Sequence, residues 1–317
     1  MAEFELIDLI RARCAIARDD VRLGIGDDAA LLAVPVGQLL AVSTDTLIAG
    51  VHFPQSAKGY DVGWKALAVN LSDLAAMGAT PAWATLALTL PQADAVWVAD
   101  FADGFAALAG EFKLALVGGD TTQGPLSITL TVHGFVPEGM ALRRDGARAG
   151  DAVFVTGTLG DAAAGLCCLD KNSAVAQRTL ATASNMREAL IARLHRPTPR
   201  VAQGLALRGH AQACIDVSDG LVADLGHICT ASGVGADFDL ELLPASPALF
   251  SLFDAEARAG FQLAGGTTTN CVSPRRKRAL RNCRTIWRAA VAARRASAIS
   301  LPNPACVCVM ALETLSK

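Results

Sequence analysis

The spacing of apolar positions divides the chain into alternating helical and extended segments. In residues 4–17, Phe4, Ile7, Ile10 and Cys14 fall near one face, flanked by Leu6 and Leu9, which predicts an amphipathic helix. "ALLAV" and "LLAVSTD" predict strands around a turn at Pro35–Gly37. Residues 61–78 have helical spacing and stop at Gly78, with Pro81 beyond. "WATLALTL" alternates as a strand does, and "ADAVWVADFADGFAALAGEF" predicts a second long helix. "KLALVGGD" reads as a buried strand entering a glycine turn, and "LSITLTVHGFV" as another strand.

A join follows at "GMALRRDGARAGDAVFVTG", where Gly and Arg cluster before a fresh strand, "DAVFVTG". The second half repeats the alternation. Helices are predicted over 160–169, 183–194, 200–209 and 219–231, with "RPTPR" as a break and "ACIDVSD" and "ADFDL" as strands. The class is α/β (α+β), and no short-period repeat is present. A length of 317 residues suits two domains.

Composition narrows the setting. Hydrophobic residues make up 52% and aromatics 5%, so the core must be mostly Ala, Leu and Val. The longest apolar runs are interrupted by Pro, Gly or Gln, so no membrane span is expected. The N-terminus has early acids and no basic segment, which argues against a signal peptide. Nine irregularly spaced Cys suggest reduced thiols in a cytoplasm. Cys167 and Cys168 read as small buried hydrophobes, and the 306–308 pair is too tight for a zinc knuckle.

The net charge of −2 hides an asymmetry: ten of the 28 Lys and Arg, but only one of the 30 acids (Glu313), lie from Thr267 onward. The basic tail, "PRRKR" included, raises nucleic acid or an anionic surface as a partner. The acidic body suggests bound cations.

Five stretches place carboxylates where a strand or helix meets a turn: "GIGDDAALL", "STDTL", "NLSDLAAMG", "VGGDTT" and "IDVSDGL". Each acid alone is read as a turn former or helix cap. Together they would repel unless something positive lies between them. Oxygen ligands without Cys or His suit Mg²⁺, which is usually shared with phosphates. The usual phosphate cradles and the common kinase, hydrolase and zinc-protease signatures are absent. Phosphate would then be held by metal ions, by glycine-turn amides and by an arginine such as Arg144.

In order along the chain, "GIGDDAALL", "STDTLIAGVHF", "ALAVNLSDLAAMGATPAWATLALTLP", "GGDTTQGPLSITLTVHGFVP", "RRDGARAGD", "VTGTLGDAAAGL" and "IDVSDGLVADLGHI" resemble the thiamine-monophosphate kinase family. The resemblance spans residues from about 4 to 266. It implies the two-domain fold of aminoimidazole-ribonucleotide synthetase and selenophosphate synthetase, with N-terminal sheets of two chains joined in a dimer barrel. It implies ATP-dependent transfer of a γ-phosphoryl group onto thiamine monophosphate, assisted by several Mg²⁺ ions, with no general base.

Carried over by motif, Asp28, Ser43, Thr44, Asp45, Asp73, Asp120, Asp216 and Asp219 are implied metal ligands. Gly119, Asp120, Arg144 and Ser218 are implied to meet the nucleotide, and His52 the thiamine phosphate. Asp27 is left between a turn former and a support for the ligands. Lys65 and Asn70 read as structural helix residues. Residues 1–137 form the expected ATP/Mg-binding and dimerisation domain and 138–266 the C-terminal domain. Thiamine monophosphate, ATP and a second copy of the chain are the implied partners. Nucleic acid and membrane are not.

At Gly266 the resemblance stops. The family continues "LAGG" into a motif close to "DDYELCFT", whereas here the text is "TTTNCVSP". Removing the first base from the coding text GAC GAC TAC GAA CTG TGT TTC ACC G leaves ACG ACT ACG AAC TGT GTT TCA CCG. That reads as Thr267 to Pro274. Residues 267–317 are therefore read as a frameshift product, without assigned function for Trp287 or the Cys pair, and this copy as unstable or weakly active. Two other readings stay open: selenophosphate synthetase, which would need a reactive Cys in a flexible Gly-rich N-terminal segment, and a non-catalytic Mg-nucleotide binder.

Overall fold

The computed structural model describes residues 3–170, 184–265 and 306–310. It divides into two compact units, Met1–Ala141 with His195–Leu205, and Leu142–Leu194 with Ala206–Lys317. No helix among the described residues is long and apolar enough to cross a membrane.

The first unit opens with α1 (Glu3–Arg13) and the short strands β1 (Val21–Leu23) and β2 (Leu31–Leu32). Its frame is β3 (Gln38–Ile48), α2 (Gly59–Ala76), β4 (Thr80–Leu90), α3 (Ala95–Phe112), β5 (Ala115–Gln123) and β6 (Ser127–Pro137). The four long strands form one sheet in the order β3-β6-β4-β5, with only the β4–β5 pair parallel. Alternation separates its two faces. Leu47, Ile128 and Leu88 share one buried row. On the other face, Thr44 and Thr46 of β3 pair their hydroxyls with Thr131 and Thr129 of β6, at 2.9 and 2.8 Å.

Helix α2 lies against β3, β4 and β6. Its Leu67, Leu71 and Leu74 are almost fully buried, each contributing about 2 kcal/mol of apolar transfer. Asp94 caps α3 by accepting the Val96 and Trp97 N–H groups, and Lys113 ends it in the left-handed region at φ 51°. The two helices approach so closely that a Cβ on Gly63 would overlap the Phe101 carbonyl, and one on Gly104 the Tyr60 carbonyl. The helix predicted over 4–17 ends sooner, at Arg13, and Cys14 lies immediately beyond it.

The second unit contains β7 (Ala152–Val155), α4 (Asp161–Leu169) and most of α5 (Ser184–His195). The next helix, α6 (Val201–Leu207), begins in the first unit, where a Cβ on Gly204 would overlap the Ala75 carbonyl of α2. The second unit continues with β8 (Ala211–Asp216), α7 (Leu221–Ser232), α8 (Pro247–Leu252) and α9 (Ala255–Ala264). Its core gathers Ala213 and Ile215 of β8 with Leu221, Leu225 and Ile228 of α7.

Three features of the second unit differ from the sequence-based expectations. "ADFDL" forms no strand. The Asp239 side chain accepts the Glu241 N–H and starts a 3-10 turn at Leu240–Leu242, so local side-chain capping wins over the alternation. Two further helices, α8 and α9, follow where none was read. The tail, for which no strand was predicted, supplies β9 (Cys306–Met310). It is antiparallel to both β7 and β8 and takes the central place in the order β7-β9-β8. The "PRRKR" run and Trp287 lie outside the described residues.

Candidate active site

In the first unit, β3 and α2 bring three of the expected ligands together. Ser43 and Asp45 lie on the helix-covered face of β3, and Asp73 lies in the last turns of α2. The Ser43 hydroxyl donates to Asp73 Oδ2 at 2.5 Å. Burial and the neighbouring Asp73 charge both push the Asp45 carboxyl above its usual range. Asp45 is thus well inside a strand, three residues before its end.

Asp45 shares a cross-strand row with Leu130, Leu86 and Gly119. A Cβ on Gly119 would overlap the Leu86 carbonyl, so only glycine lets β5 run this close to β4. Asp120 falls in the next row, opposite Ala87, which pairs with Thr129, itself paired with Thr46. Asp120 and Thr44 therefore leave the sheet on the face opposite to Ser43 and Asp45. Asp28 is exposed, and its N–H donates to the Asp27 carboxylate at 2.9 Å.

The loop after β3 carries His52. Its Nδ1 accepts the Ile48 N–H at 3.0 Å, and its backbone carbonyl accepts from Lys65 Nζ at 2.9 Å. Burial and the Lys65 charge lower the His52 pKa, so the ring favours its neutral form. Burial also pushes the Lys65 ammonium down to about 8. Sequence reading left Lys65 as a structural helix residue. Its signal was a cation at a helical position whose neighbours are apolar.

In the second unit, the Arg144 loop is anchored by its backbone while its side chain stays exposed. The Cys214 N–H donates to the Arg143 carbonyl at 2.7 Å, and the Ser232 hydroxyl to the Arg144 carbonyl at 3.2 Å. Asp216 closes β8, and Ser218 and Asp219 occupy the short link to α7. Both of their N–H groups donate to Asp224 Oδ2, at 2.9 and 3.1 Å. Sequence reading missed Asp224; an acid in the first turn of a helix that follows glycine was the available signal.

Among the described residues, no three His, Cys, Asp or Glu side chains form a ready-made metal cluster. The donor chemistry nevertheless fits Mg²⁺. Asp45 and Asp73 crowd their negative charges, Ser43 adds a hydroxyl, and all three present oxygen.

The two units match the two halves of one class of protein. Residues 26–136 match AIR synthase related protein, N-terminal domain, and residues 148–264 match its C-terminal domain. A thiamine-monophosphate kinase of Salmonella typhimurium is 52% identical over 264 residues, covering 83% of this chain and 79% of its own. The crystal structure of thiamine-monophosphate kinase from Stenotrophomonas maltophilia is 49% identical with a TM-score of 0.74, covering 89% of this chain and 90% of that one. The structure of AaThiL complexed with AMPPCP and TMP is 33% identical with a TM-score of 0.65, covering 84% and 83%. Within the AIR synthase related proteins, this chain belongs to the thiamine-monophosphate kinase family.

Proposed function

We propose that the protein transfers the γ-phosphoryl group of ATP onto thiamine monophosphate, giving thiamine diphosphate. The observation that carries this reading is the 52% identity to a thiamine-monophosphate kinase across 83% of the chain. The complex of AaThiL with AMPPCP and TMP supports the two substrates. The acceptor is itself a phosphate with a second pKa of about 6. It is largely a dianion at neutral pH and needs no base to deprotonate it.

The residues then have to bind, orient and neutralise. Ser43, Asp45 and Asp73 form the preassembled part of the metal-binding set, and Asp28, Thr44, Asp120, Asp216 and Asp219 are its further proposed members. Bound Mg²⁺ would supply charge neutralisation between the phosphates. Gly119, Asp120, Arg144 and Ser218 are proposed to meet the nucleotide. His52, with Nδ1 engaged by the Ile48 N–H, is left Nε2 to direct at the thiamine phosphate.

The proposed division is an ATP/Mg-binding and dimerisation domain over 1–137, a C-terminal domain over 138–266, and an out-of-frame tail over 267–317. The family match ending at 264 supports the last boundary. Exposed Leu40, Val42 and Ile48 on the open face of edge strand β3 support a homodimer. A cytoplasmic location is part of the same proposal.

Selenophosphate synthetase chemistry is disfavoured by Cys14. Its thiol is buried against the Ala102 carbonyl, and burial pushes its pKa up to about 12, far from a reactive thiolate. The deciding assay mixes the purified chain with ATP, Mg²⁺ and thiamine monophosphate and follows thiamine diphosphate by chromatography. A parallel chain carries one restored base after the Gly266 codon. Product from the restored chain, with less from the 317-residue chain, is the expected result. Mg-nucleotide binding without product from either would leave a non-catalytic binder.

A further inference from the structure

Asp224 sits in the first turn of α7, is 4% exposed, and spends one carboxylate oxygen on two backbone donors, the N–H groups of Ser218 and Asp219. The link between β8 and α7 is only residues 217–220, so these two bonds fix half of it. Gly220 constrains its end. Its φ is 111°, and a Cβ there would lie 2.7 Å from the Leu263 carbonyl.

This arrangement decides what the link can recognise. Free amides ahead of a helix form a seat for phosphate, helped by the positive end of the helix dipole. Here both amides are directed inward to Asp224, whose own charge opposes that positive end. What the link leaves for a ligand is its side chains: Asp219 is exposed and Ser218 half-buried, next to Asp216 at the end of β8. That is a set for a cation with its nucleotide, and a poor seat for a bare anion. The Ser218 and Asp219 amides are thus already engaged at this link.

We infer that Asp224 is a positioning residue: it holds Ser218 and Asp219 so that this link binds nucleotide through Mg²⁺ and side chains, with its amides withheld from phosphate. The inference rests on the proposed nucleotide role of Ser218 and metal role of Asp219.

Two measurements test it on the full chain. Amide hydrogen exchange needs no substrate. Ser218 and Asp219 should exchange at least tenfold slower than in an unstructured peptide, and Asp224→Ala should remove that protection while leaving β3–β6 unchanged. Titration with Mg–ATP and with ATP in chelator comes second. Asp224→Ala should weaken Mg–ATP binding at least tenfold, whereas Asp224→Asn, which keeps an acceptor oxygen, should restore both protection and most of the affinity. Unprotected Ser218 and Asp219 amides in the unaltered chain overturn the inference, even if Asp224→Ala fails to fold. So does a folded Asp224→Ala chain that binds Mg–ATP normally, or equal binding of ATP with and without Mg²⁺ by the unaltered chain. Protected amides and Mg-dependent ATP binding without conversion of thiamine monophosphate by either the 317-residue or the restored chain would defeat the proposed kinase activity alone.

Discussion

Lys65 Nζ donates to the His52 carbonyl at 2.9 Å, so a buried cation of α2 pins the loop that presents the imidazole. Burial holds this ammonium near pH 8, against an ordinary 10.5. Below pH 8 both folded and unfolded chains carry the proton. Between about 8 and 10.5 the folded chain releases it first, so the unfolded chain binds more protons and stability rises with pH. The gain is on the order of 3 kcal/mol. Lys65→Met should lack this rise and should be more stable than the parent at pH 7.5, the difference closing toward pH 10.5. Denaturant unfolding across that range checks it. The same variant should raise KM for thiamine monophosphate more than it lowers kcat.

Asp45 and Asp73 crowd two carboxylates beside the Ser43 hydroxyl. Asp45→Asn removes one charge while keeping the shape. Without metal, this variant should be more stable by about 1 kcal/mol, because a half-buried like-charge pair is relieved. With Mg–ATP and thiamine monophosphate, turnover should fall at least a hundredfold, about 2.7 kcal/mol of barrier. Thermal melts in chelator and steady-state rates test the two halves separately. A variant that is both less stable and fully active would contradict the assignment.

The α2–α3 crossing has no room for a methyl group at Gly63 or Gly104. The obstructing atoms are backbone carbonyls, so relief requires the helices to separate. Gly63→Ala and Gly104→Ala should each cost about 2–3 kcal/mol by overpacking, against the usual gain of alanine in a helix. Alanine at Gly110, where a Cβ would meet nothing within 4 Å, is the control.

In the second unit, Val309 sits in register with Val153 on one side and Ala213 on the other. Val309→Pro removes a ladder donor from a central strand and should cost about 3 kcal/mol or more. If β9 contributes as placed, exchange protection should fall in both β7 and β8 while β3–β6 keep theirs. Unchanged protection in the two neighbours would remove the tail from the sheet.

Much of the frame was legible because its signals are local. Asp94 before an apolar-periodic run announces α3, and Gly78 closes α2. The alternation in 127–137 gives β6 directly. The failure at "ADFDL" is also local, since the Asp239 side chain competes with the ladder for a backbone donor. The missed helices had readable starts, with Ser246 and Asp254 accepting the N–H groups of Leu249 and Ala257. The contribution of β9 was hidden for a different reason. Strand pairing depends on what two distant segments offer each other, and five residues in a basic tail announce no partner. The acid motifs pointed to Ser43, Asp45 and Asp73, and the fold brings these three together. They could not reveal that Asp120 leaves the opposite face of the sheet, because that depends on register. Asp224 was overlooked, and Lys65 read only as a structural helix residue, because each acts through a backbone group.

The central position of β9 carries a consequence for synthesis on the ribosome. The sheet of the first unit is complete once Pro137 has emerged. In the second unit β7 and β8 are made before the tail, yet among the described residues neither has its strand neighbour until Met310 is translated. Val153 must wait for Val309, almost half the chain later. Among the described residues, β7 therefore lacks a strand partner over about half of translation and β8 over about a third, when chaperones would find them, and any slowing of the last codons lengthens that exposure.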